Sequence, residues 1–415
     1  MIALKGILTA KTAFMVGSGD DEGSDSDILR TGDGEVFIPG TSLAGICRSY
    51  LEEANKSIDI DDIFGTIKNK EEKESSIIFY DAFATEKVYT AVRDSVRLER
   101  RVSKSKCKFD YEIAEPKSTF DFRIEINYHD ADVERKICET VVSGFQKENI
   151  RIGAKTTRGF GVFSLDDIKY LSLDLNKEED MERYINFDWK DVKDDFELID
   201  REEDDDDDEV YVSLERKLAL ESFIFIRDYA TLDRVEPVKD SKFVDAKTLT
   251  NSSGDVIIPG TAWAGVFRHH IDKILGKAGY ENKTQFLDKL FGYQTKDDEM
   301  GKKKEIPKSK SSIFFTETII EAENIMMLNR TRTAVDRFSG SALQTGALFT
   351  GKVAYKKEES GSKLICLKIK IKKDFAELEF AKNLINICFK DIENGYLTVG
   401  GNASIGAGIF TSWRE

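Results

Sequence analysis

The chain has 415 residues, enough for two or three domains, and at 40% hydrophobic and 33% charged it has the composition of a globular protein with sizeable cores. No apolar run approaches the roughly 20 residues that cross a bilayer as a helix, and the start, Met1-Ile2-Ala3-Leu4-Lys5-Gly6, reads as a first strand rather than a signal peptide. The formal net charge of −15 does not exclude a nucleic-acid partner, because nineteen acidic and five basic residues between Asp174 and Glu209 account for −14 of it and leave about −1 elsewhere. The five cysteines, Cys47, Cys107, Cys138, Cys366 and Cys388, are scattered without the paired spacing of a disulfide framework or a zinc site, which points to a reducing cytoplasm.

In chain order, residues 3–16 read as a strand, followed by a Gly- and Asp-rich loop from Gly17 to Asp27. A short strand at Glu35-Val36-Phe37 leads into Ile38-Pro39-Gly40-Thr41-Ser42-Leu43-Ala44-Gly45-Ile46-Cys47-Arg48. Pro-Gly makes a turn, and the Thr or Ser behind it is placed to cap a helix running to about Ala54. Gly45 then sits one turn inside that helix, where Gly costs about 1 kcal/mol relative to Ala, a cost tolerated where something approaches the backbone closely. A Phe-Gly step at Phe64-Gly65, a strand at Ser75–Asp81, a basic extended hairpin from Arg93 to Lys108, a strand at Thr119–Ile126 and an amphipathic helix around Val133–Lys147 come next. The unit closes on a Gly-rich stretch from Arg151 to Phe163. An acidic connector, roughly 166–209, ends in five consecutive Asp and a Glu; charge this dense is usually solvated, and the stretch reads as a linker plus a small insertion.

From Val210 the programme restarts. Ile258-Pro259-Gly260-Thr261-Ala262-Trp263-Ala264-Gly265-Val266-Phe267-Arg268 repeats the Pro-Gly helix, Leu290-Phe291-Gly292 repeats the Phe-Gly step, and Ser311–Phe315 repeats the strand. Arg330–Arg337 matches Arg93–Arg100, and Val399–Gly408 matches Ile152–Gly161, both without a gap. Five landmarks in one order, twice, make a tandem duplication. The expected domains are therefore 1–165 and 210–415, joined by 166–209. Each repeat carries strand, helix, strand, strand, helix, strand, the ferredoxin-like order. Such a sheet leaves one face open, the face on which RRM-type domains hold single-stranded RNA.

The Pro-Gly-Thr helix, the Phe-Gly step, the Arg-rich hairpin and the terminal Gly-rich loop, together and in this order, resemble the RAMP superfamily, and within it the backbone subunits of type III CRISPR effector complexes. A chain with two such units resembles the fused double backbone subunit of the type III-D branch. The resemblance implies an α+β fold of two tandem RRM-like RAMP domains with hairpin thumb insertions. It also implies binding of a CRISPR guide RNA and a target RNA, partnership with other RAMP proteins and a large subunit, and metal-dependent cleavage of the paired target with Mg²⁺ or Mn²⁺. In members that cut, an Asp precedes the Pro-Gly helix; fourteen residues before Pro39 stands Asp25, and fourteen before Pro259 stands Asp245. A carboxylate there would hold the metal or orient the ribose 2′-OH that attacks the next phosphate, while Asp20, Asp21 and Asp27 keep open the alternative of a loop rich in Asp because Asp favours turns.

Arg48 and Arg268, near helix starts whose N–H groups attract anions, are expected at the guide phosphates. Gly153, Lys155, Arg158, Gly159 and Gly161, and in the second copy Gly400, Gly401 and Gly406, are expected either to cradle phosphates with backbone N–H groups or to make tight turns between strands. Ala44, Ile46, Ala264 and Val266 stand where the family often has lysines. By resemblance to the thumb, Arg97, Arg100, Arg101, Lys104, Lys106, Arg337 and Phe338 would contact the guide–target duplex. His129, His269 and His270 have neither metal-site spacing nor a nucleophile beside them and read as structural. Two other roles fit the same residues: a purely structural guide-binding backbone subunit, and a subunit gripping the guide's 5′ tag.

Overall fold

The structure, a computed structural model, describes residues 1–19, 24, 26–68, 71–99, 102–196, 210–229, 244–293, 309–342, 348–357 and 364–413. These form a mixed α+β chain of two compact units. The first unit comprises Met1–Ala91, Glu112–Thr156 and Phe160–Val212; the second comprises Ser213–Glu415 together with Val92–Tyr111 and Thr157–Gly159.

In the first unit the strand order is Asp194–Asp195, Phe163–Ser172, Ile2–Ala10, Thr119–Ile126, Ile77–Phe79, with every neighbouring pair antiparallel. Side chains alternate across a strand, and Leu4 and Leu8 join Phe120, Phe122, Ile124 and Ile126 on one fully buried face. Two helices pack there. Gly40–Ala54 buries Leu43, Cys47 and Leu51 at helical spacing, and Ala131–Gln146 buries Ile137, Cys138, Val141, Val142 and Phe145. The Phe122 and Phe145 rings meet edge to face at 5.7 Å. Asp130 caps the second of these helices by accepting from the Asp132 and Val133 N–H groups.

The acidic connector is not simply solvated. Its first seven residues, 166–172, continue the strand Phe163–Ser172, and beyond it lie a helix, Glu178–Ile185, a 3₁₀ turn, Trp189–Asp191, and the short edge strand Asp194–Asp195. The reason is the apolar residues spaced among the acids: Leu171, Leu173 and Val192 are buried with Met1 and Ala3, and Leu175, Tyr184, Phe187 and Trp189 pack against them. Residues 197–209, with the run of Asp, lie outside the described residues.

The second unit repeats the order: Ile313–Phe315, Leu364–Lys372, Tyr211–Leu220, Phe410–Ser412. Its helices Gly260–Lys277 and Leu378–Glu393 bury Trp263, Phe267, Ile271 and Leu275, and Leu384, Ile385, Cys388, Phe389 and Ile392. Trp263 is fully buried, and its indole N–H donates to Thr318 Oγ1 at 3.0 Å, as a buried indole requires. A further sheet orders Phe223–Ile224, Leu348–Lys356, Ala246–Thr248 and Arg227–Asp228, with Ile325–Thr333 paired on Leu348–Lys356.

Candidate nucleic-acid interface

Both Pro-Gly helices begin two residues earlier than a Thr cap would give. Gly40 and Gly260 are their first residues, Pro39 and Pro259 occupy the cap positions in extended conformation, and neither cap makes a side-chain hydrogen bond. Thr41 and Thr261 therefore lie inside the first turn. In the first unit the acceptor comes from another strand end: Asp81 Oδ1 takes the Gly40 N–H at 2.7 Å.

The close approach is also displaced. A Cβ on Gly40 would lie 2.2 Å from the Phe79 carbonyl oxygen, and one on Gly260 would lie 2.3 Å from that of Arg158, within the second unit. Gly45 and Gly265 have nothing within 4 Å of a Cβ and are exposed. The backbone there is open to a ligand rather than packed by the protein.

Arg48 and Arg268 occupy equivalent, engaged positions. Arg48 donates to Asp61 and stands 5.9 Å from the centroid of the Phe64 ring. Arg268 donates to Asp288 Oδ1 at 2.8 Å and to the Gly292 carbonyl at 3.3 Å, and stands 5.8 Å from the Phe291 centroid. Each arginine thus ties its helix to the Phe-Gly step of its own unit. Both keep about a third or more of the side chain exposed.

The Gly-rich loops are built alike. Lys155 and Asn402 are left-handed at φ 59° and 62°, and each is followed by a 3₁₀ turn, Thr156–Arg158 or Ala403–Ile405. Gly153, Gly161 and Gly400 have positive φ, and a Cβ on each would meet a backbone oxygen of the protein itself: 2.2 Å from Met15, 2.1 Å from Ile152 and 2.7 Å from Phe225. A Cβ on Gly401 would stand 3.2 Å from the Phe225 ring. A Cβ on Gly159, at φ 104°, would stand 2.7 Å from the Glu317 nitrogen. Gly406 has open space. Arg151, which the sequence left without a role, is buried and donates to the Thr156 carbonyl at 2.9 Å, with burial holding its pKa down at about 10. The Arg158 side chain is exposed and that of Lys155 half-buried.

The basic hairpin has the strands Thr90–Glu99 and Val102–Ala114. Arg100 and Arg101, and the side chains of Arg97, Lys104 and Lys106, lie outside the described residues. At the second copy's corresponding turn, Asp336 Oδ1 accepts from the Phe338 N–H at 3.0 Å, the Ser339 N–H at 2.7 Å and the Ser339 hydroxyl at 2.9 Å. These donors hold its carboxyl below the usual carboxylate range. The turn presents Arg337 exposed and Phe338 entirely in solvent.

Asp25 lies outside the described residues. Asp245 is half-buried; its Oδ2 accepts from the Thr350 N–H at 2.6 Å, and its own N–H donates to the Thr350 carbonyl at 2.8 Å. Among the described residues no three His, Cys, Asp or Glu side chains converge as a metal cluster. His270 Nε2 and Asp391 Oδ2 are 2.6 Å apart, which ties the Pro-Gly helix of the second unit to its last helix.

A family model described as the RAMP superfamily matches residues 7–164 and again 217–411, both copies of the repeat. The chain belongs to the RAMP superfamily. Among curated proteins it is 29% identical over 144 residues to the CRISPR system CMR subunit Cmr6 of Saccharolobus solfataricus; the match covers 32% of this RAMP chain and 46% of that relative, so the chain spans about half of its length. Among solved structures, a chain of a cryo-EM structure of the type III-B Cmr-beta bound to cognate target RNA matches at 23% identity and TM-score 0.34, over 41% of this RAMP chain and 61% of that one. No helix among the described residues is long and apolar enough to cross a membrane.

Proposed function

We propose that this RAMP chain is an RNA-binding subunit of a type III CRISPR effector complex, holding guide RNA paired with target RNA alongside other RAMP proteins and a large subunit. The observation that carries the reading is the RAMP match over both copies, with likeness to a CMR subunit behind it. Two sheets with one strand order support tandem RRM-like, ferredoxin-like domains, and the two long hairpins support thumbs. In each unit the open backbone at Gly45 or Gly265 supplies a place where a phosphate backbone approaches closely, and in the second unit the exposed Phe338 supplies a ring that stacks on or wedges between bases. Purification of the tagged chain with its genomic neighbours, followed by sequencing of bound RNA, tests this. CRISPR-derived guides are expected; a transcriptome-wide mixture without them contradicts the reading.

The finer reading is cleavage of the paired target at two points, with Asp25 and Asp245 each lending a carboxylate to Mg²⁺ or Mn²⁺. One carboxylate fits such an ion only where RNA phosphates and water complete its shell, the usual arrangement for Mg²⁺. The ion would supply charge stabilisation at the reacting phosphate. A second reading, a non-catalytic guide-binding subunit, is favoured by one observation: Asp245 already accepts from the Thr350 amide at 2.6 Å, as a structural carboxylate does.

A further inference from the structure

The sheet of the first unit has a second face, away from its helices, that the proposed guide contacts do not use. On it Lys5 stands opposite Lys169 on one neighbouring strand and opposite Arg123 on the other. Residues paired across a ladder share a face, so three strands place three cations in one row. Tyr80 lies at the end of the row, its ring centroid 5.6 Å from the Arg123 guanidinium. Basic side chains interleaved with an aromatic ring on an open sheet face are what single-stranded RNA binds: phosphates on the cations, bases on the ring.

The chain's own connector covers this row, group by group. Trp189 places its ring centroid 5.7 Å from the Arg123 guanidinium and meets the Tyr80 ring edge to face at 5.3 Å. The Trp189 carbonyl oxygen accepts from Lys5 Nζ at 2.8 Å. Asp195 pairs with Lys169. A flat ring, a carbonyl oxygen and a carboxylate thus stand where a base and two phosphate oxygens would. Acids of the sheet itself also take part: Asp121 pairs with Arg123 at 3.0 Å, Asp167 with Lys169 at 3.5 Å, and Glu125 accepts from the Tyr80 hydroxyl at 3.0 Å. Even so, the cover is incomplete, since the buried Arg123 Nε–H finds no acceptor among the described residues. A buried donor without a partner calls for an explanation, and a phosphate oxygen would supply one.

We propose that this face is a second single-stranded RNA site, distinct from the proposed guide surface, and that residues 186–196 are its built-in competitor. Of that segment only Val192 is buried, while Phe187, Trp189 and Phe196 are half-exposed and Asp194–Asp195 adds just two ladder positions at the sheet edge, so the cover is held by a small apolar contact and a short strand pairing. RNA that displaces it gains Lys5, Lys169, Arg123 and the Tyr80 ring together.

The test is fluorescence anisotropy of a short fluorescein-labelled oligouridylate titrated with the full chain alone, at low salt. Trp189→Leu with Asp195→Asn keeps an apolar side chain at 189 and the side-chain length at 195 but removes the ring and the charge. Because a competitor lowers apparent affinity by the fraction of time it is seated, binding tightens by about tenfold. Adding Lys5→Ala and Arg123→Ala to that variant returns affinity to the wild-type level or below. An opened variant that binds no tighter than wild type overturns the proposal, as does tighter binding that survives loss of Lys5 and Arg123. Should the double variant fail to fold by circular dichroism, Asp195→Asn alone, at a side chain 77% exposed, is expected to give a gain of about threefold; no gain overturns the proposal equally. Guide content of the assembled complex is a separate measurement, so the two readings fail independently.

Discussion

The guanidinium of Arg93 meets both carboxylate oxygens of Glu317, at 2.5 and 3.3 Å, where the arginine side chain is 7% exposed and the glutamate side chain is shut off from solvent. Both residues belong to the second unit, although Arg93 comes from the hairpin that the sequence assigns to the first repeat. Removing one partner of a buried pair leaves an uncompensated charge. Arg93→Ala or Glu317→Ala is therefore expected to destabilise the second unit by about 3–5 kcal/mol in urea denaturation, while Arg93→Met with Glu317→Leu loses much less. Equal losses in all three variants would mean that packing, not charge, sets the effect.

The glycines divide into two classes with opposite predicted effects. Gly153→Ala and Gly161→Ala drive a methyl into a backbone oxygen at positive φ, so each costs about 1–3 kcal/mol. Gly45→Ala and Gly265→Ala meet nothing within 4 Å and stabilise the isolated chain by about 1 kcal/mol each through helix propensity. If RNA uses that gap, the same two substitutions weaken guide retention in the assembled complex. Melting curves and bound-RNA yield, measured side by side, separate the two effects.

The turn that presents Phe338 has a defined pH response. Hydrogen bonds to Ser339 and Phe338 depress the Asp336 pKa below its ordinary 3.8. A depressed carboxyl contributes stability that is fully present above the unfolded value and is lost as pH falls through the folded one. Order at Phe338, followed by NMR, is expected to persist from neutral pH down to about pH 4 and to fail below the ordinary value. Asp336→Ala loosens it already at neutral pH and abolishes the pH dependence.

Thiol chemistry gives a check on the cores. Burial drives the Cys47 and Cys138 pKa values far up and pushes Cys388 up to about 12, whereas Cys366 is exposed and raised less. Of these four, Cys366 alone is expected to react with iodoacetamide in the native protein. Its rate should still be climbing above the ordinary thiol value of 9.0, because the thiolate is the reacting form. Peptide mass spectrometry reads both.

Much of this was legible because the chain is duplicated. The repeated Pro-Gly and Phe-Gly landmarks located both helices and both cores, since apolar spacing and turn residues act locally. The partners of the arginines were not read, although the signal was there: Asp61 and Asp288 each stand three residues before the Phe of the Phe-Gly step. The equivalence of Asp81 and Glu317, each six residues after the first Ser of a Ser-Ser strand start, was likewise missed. The caps are not legible because a Pro-Gly step reads as a turn before a helix, whereas here Pro is the cap and Gly the first helical residue. How much of the connector is ordered is not legible, because its charge density hides the burial of Leu171, Leu173 and Val192 and the packing of Trp189 against them, which depend on a sheet edge that no local pattern announces.

The most direct test of the proposed role is target-RNA cleavage by the assembled complex with Mg²⁺, comparing wild type, Asp25→Asn, Asp245→Asn and the double variant. Asn retains an oxygen to accept from the Thr350 N–H but lacks the charge, so the fold at Asp245 is preserved while metal binding is not. Each single change is expected to remove one distinct cut and the double variant both, with guide RNA retained throughout. A double variant that still makes every cut would show that the chemistry lies elsewhere in the complex and that this chain is scaffold.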